Sequence, residues 1–181
     1  SSKWKTQVHE FSQTLIQQID TMSAIASAYS QFAAIPTEQS ERLNVTVTVQ
    51  RALELYKDAP IALKADETYY AQLDATQLVR IVNNLMSNAI EACAEVCKPS
   101  ILVHLFGDKK AVCLSVQDNG KGISEALRDR IFEPTFTTKT SGMGLGLSMV
   151  KSIAEAYGGK VRFESNPDVA TRFEVCFPRI D

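Results

Sequence analysis

Glycine is concentrated in two short segments of this 181-residue chain, and those segments constrain the fold more than any other feature. Five of the eight glycines lie in Asp118-Asn-Gly-Lys-Gly-Ile123 and Gly142-Met-Gly-Leu-Gly-Leu147. Because glycine loses more backbone entropy on folding than any other residue, such clusters indicate unusual dihedral angles or the close approach of a ligand. We therefore expect both segments to be loops beside a binding site.

The second glycine segment runs directly into a helix predicted over residues 145–157. A glycine turn before a helix N-terminus offers free backbone N–H groups and the positive end of the helix dipole, which suit a phosphate. The spacing excludes a P-loop, and it fits a Rossmann motif poorly because no strand leads into it. On its own, the segment is also compatible with a plain tight loop.

Asp118 stands where a predicted strand ends and the first glycine segment begins. A carboxylate there can accept a hydrogen bond from the exocyclic amine of adenine, whereas guanine presents a carbonyl oxygen at that place. Taken alone, Asp118-Asn119-Gly120 is better explained as a hairpin turn.

Asparagines interrupt an otherwise apolar helix predicted over residues 75–97, which opens with the spacing of a capping box at Asp74. Asn84 and Asn88 are one turn apart and share a face with each other, and amide oxygens can bind a hard cation such as Mg²⁺. A helix surface rich in amides is the alternative. The predicted core face of this helix is Leu78, Ile81, Val82, Leu85, Ile90 and Ala94.

An apolar residue recurs every seven positions over residues 4–34, which predicts one long helix with a coiled-coil-like seam. Pro36 ends this helix and a polar run follows, so we expect a domain boundary near residues 36–42 that separates 1–36 from 37–181. The seam needs a second helix, from a bundle or another copy of the chain, unless it packs on its own domain. The recurring residues are Val8, Leu15, Met22 and Tyr29.

The rest of the chain alternates between strand and helix patterns. This order predicts an α/β sandwich, of the α+β kind, with helices covering one face of a mixed sheet. Strands are predicted over 45–49, 61–65, 69–73, 101–106, 111–116, 160–165 and 171–177. Helices are predicted from 50 through Tyr56 and over 75–97, 124–130 and 145–157, with Ser124 as a cap and a loop over 131–144.

Composition excludes several kinds of partner. The formal net charge is −2, so no basic field indicates nucleic acid. No stretch approaches the roughly 20 apolar residues of a membrane-spanning helix, and we expect no direct membrane contact. The four cysteines have no C-x-x-C spacing and His9 and His104 are the two histidines of the chain, so a zinc site would need a different set of residues. Reduced, structural thiols in a cytoplasmic protein are expected.

Four segments, taken in order, resemble the nucleotide-binding boxes of sensor histidine kinases over roughly residues 40–181. The stretch 136–147 is most similar to nitrogen-regulation-type kinases of this family. The segments are Asn84-Leu-Met-Ser-Asn88-Ala-Ile-Glu-Ala92 for the N box, 118–123 for the first glycine box, 131–139 for the F box and 142–147 for the second glycine box.

The resemblance implies a Bergerat-type (GHKL) fold that binds ATP with Mg²⁺. It implies that Asn88, and less directly Asn84, holds the metal, that Asp118 reads adenine, and that Thr171 supports adenine through water. It also implies a lid over about residues 131–146, from which Lys139 reaches a phosphate. The nucleotide contacts it implies are Asn84, Asn88, Asp118, Gly120, Gly122, Ile123, Phe132, Thr137, Thr138, Lys139, Gly142, Met143, Gly144, Leu145, Gly146, Leu147 and Thr171.

Two departures from the family pattern are visible. Met143 stands where threonine is common, which changes side-chain packing but leaves the backbone donors. Asn166-Pro-Asp-Val-Ala170 replaces a frequent glycine pair near the last strand turn, so the geometry of that turn is open.

Hydrolases with this fold carry a glutamate four residues before the magnesium asparagine. Asn84 stands there, and an amide cannot act as a general base, so phosphoryl transfer is favoured over hydrolysis. The resemblance implies a protein-histidine kinase. His9-Glu10 lacks the rest of the acceptor motif, so we interpret residues 1–36 as the second helix of a phosphotransfer hairpin. The chain then has no catalytic acceptor histidine and is incomplete for autophosphorylation.

The family further implies a homodimer through the N-terminal helix and a response regulator receiver domain as partner. It also implies that upstream segments can anchor the full-length protein in the inner membrane, although this region is cytoplasmic. Two alternatives stay open: a serine kinase of the anti-sigma-factor type, and a non-catalytic interaction module with a relic nucleotide site.

Overall fold

The computed structural model describes residues 11–12, 14–16, 18–19, 22, 39–137, 144–167 and 169–180. The chain divides into two compact units, Ser1–Ile35 and Pro36–Asp181. In the first unit the described residues are helical, as predicted, and their apolar side chains are exposed. The remainder of the helix predicted over 4–34, His9 included, lies outside the described residues. The exposed apolar residues are Phe11, Leu15, Ile16, Ile19 and Met22.

The described residues of the second unit form a mixed seven-stranded sheet in the order β1-β3-β7-β5-β4-β2, and β6 also pairs with β7. The pairing of β2 with β4 is parallel, and every other pairing in this sheet is antiparallel. The strands are β1 (Glu41–Asn44), β2 (Ile61–Ala65), β3 (Tyr70–Leu73), β4 (Ile101–Gly107), β5 (Ala111–Asp118), β6 (Lys160–Asn166) and β7 (Ala170–Ile180).

Helices cover one face of this sheet, as the sandwich prediction requires. They are α1 (Val45–Leu53), α2 (Ala75–Ala92) and α3 (Gly146–Ala156), and α2 packs against both others. On the central strands β5 and β7, alternate residues such as Val116 and Phe173 are buried beneath the helices, whereas Gln117 on the opposite face is exposed. The core therefore lies between α2, α3 and one face of the sheet. No helix among the described residues is both long and apolar enough to span a bilayer.

The predicted start of α2 is confirmed, because Asp74 Oδ1 accepts a hydrogen bond of 3.1 Å from the Gln77 backbone N–H. The predicted end at residue 97 is wrong, since the helix stops at Ala92 and a turn follows. Ala94, which lies beyond this end, is exposed, and Ile90 is only half-buried although it lies within the helix. The residues that α2 buries are Gln77, Leu78, Ile81, Val82, Leu85, Met86 and Ala89.

The strand predicted over 45–49 is also wrong, because these residues begin α1. The alternating valines indicate a strand, but Asn44 caps a helix by accepting from the Val47 N–H at 3.0 Å. Val45, Val49 and Ala52 then fall on one buried helical face. Packing against α2 outweighs the β propensity of the valines.

The hairpin of β4 and β5 is confirmed, and Asp108 Oδ1 closes its turn by accepting from the Lys110 and Ala111 N–H groups. β2 and β3 exist as predicted but do not pair with each other, since β2 joins β4 and β3 joins β1 and β7. The helix predicted after Ser124 is a single 3-10 turn at Glu125–Leu127 without a side-chain cap.

The expectation of four reduced cysteines is wrong for two of them. Cys113 on β5 and Cys176 on β7 are direct cross-strand partners, with Cα atoms 4.1 Å apart, and they form a disulfide. The strand register brings together residues 63 positions apart, which spacing in the sequence does not reveal. Cys93 and Cys97 are free thiols.

Candidate functional site

One face of α2 organises the site. Asn84, Asn88 and Ala92 follow one another at four-residue intervals, so they line a single side of the helix. The first glycine segment meets this face at Ala92: the Lys121 N–H donates to the Ala92 carbonyl oxygen at 3.2 Å. A Cβ on Gly120 would lie 2.5 Å from the same carbonyl group, so a side chain at this position would push the segment off the helix.

The second glycine segment meets the same face at Asn84. A Cβ on Gly146 would lie 2.7 Å from Asn84 Oδ1, while Asn84 Nδ2 donates to the Arg80 carbonyl oxygen at 2.9 Å. Because a helix rises about 1.5 Å per residue, the two contacts are roughly 12 Å apart with Asn88 midway between them. The half-buried Asn88 is therefore the asparagine placed at the centre of the site.

The beginning of α3 supplies backbone donors. α3 starts at Gly146, and its N-cap residue, Leu145, makes no side-chain capping bond. Gly144 precedes it with φ of +66°, and a Cβ there would lie 2.5 Å from the Phe136 carbonyl oxygen. The first N–H groups of a helix have no intrahelical acceptor, so this end of the site can receive an anion.

Asp118 closes the other end. It is the last residue of β5, only 4% exposed, and its Oδ1 accepts from the Gly120 N–H at 2.9 Å. Burial raises the pKa of Asp118, and the hydrogen bond from Gly120 opposes that rise. A buried carboxylate of this kind gains from a ligand that donates a hydrogen bond.

Asn119 anchors the first glycine segment to the loop before β4. Its Oδ1 accepts from the Ser100 N–H at 2.8 Å and its Nδ2 donates to the Lys98 carbonyl oxygen at 2.8 Å. The Asn119 side chain is therefore occupied in fixing the start of the glycine segment.

Thr171 on β7 is the direct cross-strand partner of Asp118, and both are buried. Its hydroxyl oxygen lies 2.8 Å from Ser165 Oγ on β6, and Ser165 Oγ also accepts from the Ile123 N–H at 2.9 Å. Ser165 thus joins Thr171 to the first glycine segment. No sequence pattern identifies Ser165, since only the β6–β7 register places it here.

Some of the remaining predicted residues are described by the structure, and the others lie outside the described part of the chain. Phe132 packs its ring edge-on against Phe163 and Phe173, at centroid distances of 5.9 and 6.5 Å, which fixes this part of the loop on the sheet. Thr137 and Leu147 are half-buried. Gly122 has a φ of +74°, a left-handed conformation that glycine adopts without a steric penalty. Thr138, Lys139, Gly142 and Met143 lie outside the described residues.

Two other features stand apart from this site. His104 pairs with Asp66 at 3.1 Å on the helix-free face of the sheet, as expected of a structural histidine. A cavity of about 440 Å³, lined by Arg128, Phe163, Ser165 and Arg172 among others, touches the site through Ser165 alone and includes neither Asp118 nor the α2 asparagines.

Comparison with known proteins adds the family context. The model of the family described as histidine kinase-, DNA gyrase B-, and HSP90-like ATPase matches residues 73–181. The chain is similar to the signal transduction histidine-protein kinase AtoS of Escherichia coli K12, with 27% identity over 93% of this chain and 29% of AtoS. It is also similar to sporulation kinase A of Bacillus subtilis, with 34% identity over 62% of this chain and 18% of that kinase.

A solved structure is also similar to this chain. The nucleotide-free catalytic domain of histidine kinase ThkA has a TM-score of 0.70 and 29% identity, and the match covers 77% of this chain and 95% of that domain. The chain thus matches nearly a whole solved catalytic domain, whereas it spans less than a third of AtoS and of sporulation kinase A.

Proposed function

Since the chain belongs to the family of histidine kinase-, DNA gyrase B- and HSP90-like ATPases, we propose that it is the ATP-binding catalytic region of a two-component sensor histidine kinase. The observation that carries the proposal is the meeting of both glycine segments with one face of α2, on either side of Asn88. In this arrangement the base lies at Asp118 and the phosphates lie at the start of α3.

The two ends of the site suit the two ends of ATP. The carboxylate of Asp118 accepts a hydrogen bond from the adenine amine, and Thr171 stands beside it. The uncapped N-terminus of α3 faces the phosphates with backbone N–H groups and the helix dipole. Lys139, which lies outside the described residues, is the side chain that we propose contacts a phosphate.

The amide chemistry of α2 fits Mg²⁺, which takes few protein ligands and shares phosphate oxygens. Asn88 is the principal candidate ligand. Asn84 is the weaker one, because its nitrogen is bonded to Arg80 and its oxygen is turned towards Gly146. A bound Mg²⁺ supplies charge neutralisation to the phosphates.

Transfer, rather than hydrolysis, is the reaction we propose. Asn84 occupies the position four residues before Asn88 and cannot deprotonate water. In phosphoryl transfer the protein acts chiefly by positioning and by electrostatic stabilisation, which this site offers. The γ-phosphoryl group passes to a histidine that this chain does not supply, and from there to a response regulator receiver domain.

Dimerisation through the first unit is part of the same proposal. Phe11, Leu15, Ile19 and Met22 are helical and at least 47% exposed, which leaves an apolar surface for a second copy. The boundary between residues 36 and 37 then separates a dimerisation helix from the catalytic unit.

Calorimetric titration with ATP and Mg²⁺ tests the binding proposal. We expect saturable heat for the parent chain, a dissociation constant at least about tenfold higher for Asp118→Ala, and parent behaviour for Asp58→Ala, which removes an exposed carboxylate. Absence of heat in the parent chain would favour a relic interaction module instead.

Incubation with γ-labelled ATP tests the acceptor assignment. We expect no stable label on this chain, because the acceptor motif is missing. Label on the parent that disappears in His9→Ala would contradict this assignment, and label recovered as phosphoserine would favour the serine-kinase alternative.

A further inference from the structure

We propose that Ser165 determines base specificity by fixing the direction of the Thr171 hydroxyl, so that Thr171 donates a hydrogen bond into the base site. The inference rests on the proposed function, because it concerns the same nucleotide. Ser165, on β6, is a positioning residue, since it acts through Thr171 and does not contact the base itself.

Ser165 is buried and bridges two elements of the site. The residue is 7% exposed, and its hydroxyl oxygen accepts from the Ile123 N–H at 2.9 Å and lies 2.8 Å from Thr171 Oγ1. A serine hydroxyl carries one hydrogen and two lone pairs. Among the hydrogen bonds of the described residues, the acceptor available to that one hydrogen is Thr171 Oγ1.

The 2.8 Å contact between the two hydroxyl oxygens itself leaves the donor open. In the free protein either direction leaves one hydroxyl hydrogen without an acceptor among the described residues. With adenine bound, donation from Ser165 to Thr171 leaves the Thr171 hydrogen for the base beside Asp118, so both hydrogens gain an acceptor. In the bound state the bonds therefore run from the Ile123 N–H to Ser165, from Ser165 to Thr171, and from Thr171 to the ligand.

This direction makes the site complementary to adenine at two atoms. Asp118 accepts from the exocyclic amine, and Thr171 donates towards ring atom N1, an acceptor in adenine. Guanine presents a carbonyl oxygen and a protonated N1 at these two places, so both contacts fail. One bridging water preserves this recognition, because a water that accepts from Thr171 keeps its two hydrogens for Asp118 and N1.

The backbone around Ser165 holds it in place. Arg128 Nη2 donates to the Ser165 carbonyl oxygen, and a Cβ on Gly122 would lie 2.7 Å from Pro167 Cα. The β6–β7 hairpin is therefore packed directly on the first glycine segment. The turn between β6 and β7, which lacks the glycine pair frequent in the family, contacts the first glycine segment through Pro167. The end of β6 contacts the same segment through Ser165.

The test compares Ser165→Ala with the parent chain by calorimetric titration with ATP, GTP and 1-deaza-ATP, in which C–H replaces ring N1. The parent should bind ATP more tightly than 1-deaza-ATP and GTP. In Ser165→Ala we expect ATP affinity to fall about fivefold, affinity for 1-deaza-ATP and GTP to stay within about twofold, and the preference for N1 to be lost. Ser165→Thr, which keeps the hydroxyl, should retain the parent preferences.

Thermal unfolding of each variant checks that it is folded. Should Ser165→Ala fail to fold, Ser165→Cys and Thr171→Val carry the test, and each should lose the preference for ATP over 1-deaza-ATP. If a folded variant weakens all three nucleotides equally, Ser165 is merely structural and the inference is wrong while the proposed function stands. If the parent binds no nucleotide, the proposed function fails and the inference fails with it.

Discussion

The two glycine segments meet the same face of α2, but different forces hold them there. The first is tied down by hydrogen bonds, from Lys121 to Ala92, from Asn119 to the loop before β4, and from Ile123 to Ser165. The described part of the second meets α2 by close steric contact of Gly146 with Asn84 and leaves the start of α3 without a side-chain cap. The end of the proposed site at Asp118 is thus fixed by the protein, whereas the start of α3, where we propose that the phosphates bind, keeps its backbone donors for a ligand.

The largest effect is expected at Gly120, in the first glycine segment, which hydrogen bonds hold against α2. Gly120→Ala places a Cβ 2.5 Å from the Ala92 carbonyl group, where neither backbone can yield easily. We expect a loss of about 2 to 4 kcal/mol in the free energy of unfolding, together with loss of ATP binding. Urea unfolding and calorimetry measure the two effects.

Gly158→Ala is the matched control for that substitution. Gly158 has φ of +69°, but a Cβ there would meet nothing closer than 3.7 Å. Only backbone strain remains, so we expect a loss of about 1 kcal/mol with ATP binding unchanged. Equal effects of the two variants on ATP binding would contradict a specific contact between Gly120 and α2.

Asp118→Asn separates stability from function at the same end. Burial raises the pKa of Asp118 in the folded protein, so stability from this group is present below the unfolded pKa of about 3.9 and is lost as pH rises through the folded pKa. We expect the variant to be more stable than the parent at pH 8, to differ less from it at pH 4, and to bind ATP about ten- to a hundredfold more weakly.

Urea unfolding at both pH values and titration with ATP measure these quantities. A variant less stable than the parent at pH 8 would show that the ionised carboxylate is well compensated in the free protein, contrary to this account.

The smallest effect is expected at Gly146, in the second glycine segment, which meets α2 by steric contact. Gly146→Ala directs a methyl group at Asn84 Oδ1, a side-chain atom that can move. We expect ATP affinity to fall about tenfold while the free energy of unfolding changes by less than about 1 kcal/mol, because alanine favours the helix. Calorimetry on Gly146→Ala, Asn84→Ala and the double variant gives the coupling between the two positions. Strict additivity would rule out the contact.

The structure brings Asn84, Asn88, Asp118 and the described glycines of both segments together, whereas it corrects several of the predicted elements around them. The sequence singles these residues out because their residue types are costly or unusual where they stand, in a helix interior or at a strand end. The four segments also occur along the chain in the same order as the nucleotide-binding boxes of sensor histidine kinases. The first half of α1 was predicted as a strand because Val45, Val47 and Val49 alternate. Val45, Val49 and Ala52 also form one helical face, and only packing on α2 decides between the two patterns.

Contacts made by strand register were beyond the reach of sequence patterns. Ser165 meets Thr171 because β6 pairs with β7, and Cys113 meets Cys176 because β5 pairs with the same strand. Neither pair has a diagnostic spacing along the chain. The end of α2 was overestimated because residues 93–97 continue the apolar pattern while the backbone already turns.

A crystal structure of this chain with Mg²⁺ and a non-hydrolysable ATP analogue tests the central claim most directly. The account predicts the adenine amine within hydrogen-bond distance of the Asp118 carboxylate, the phosphates at the first N–H groups of α3, and the metal at the Asn88 amide oxygen. A base bound away from Asp118, or a metal bound away from Asn88, would contradict it.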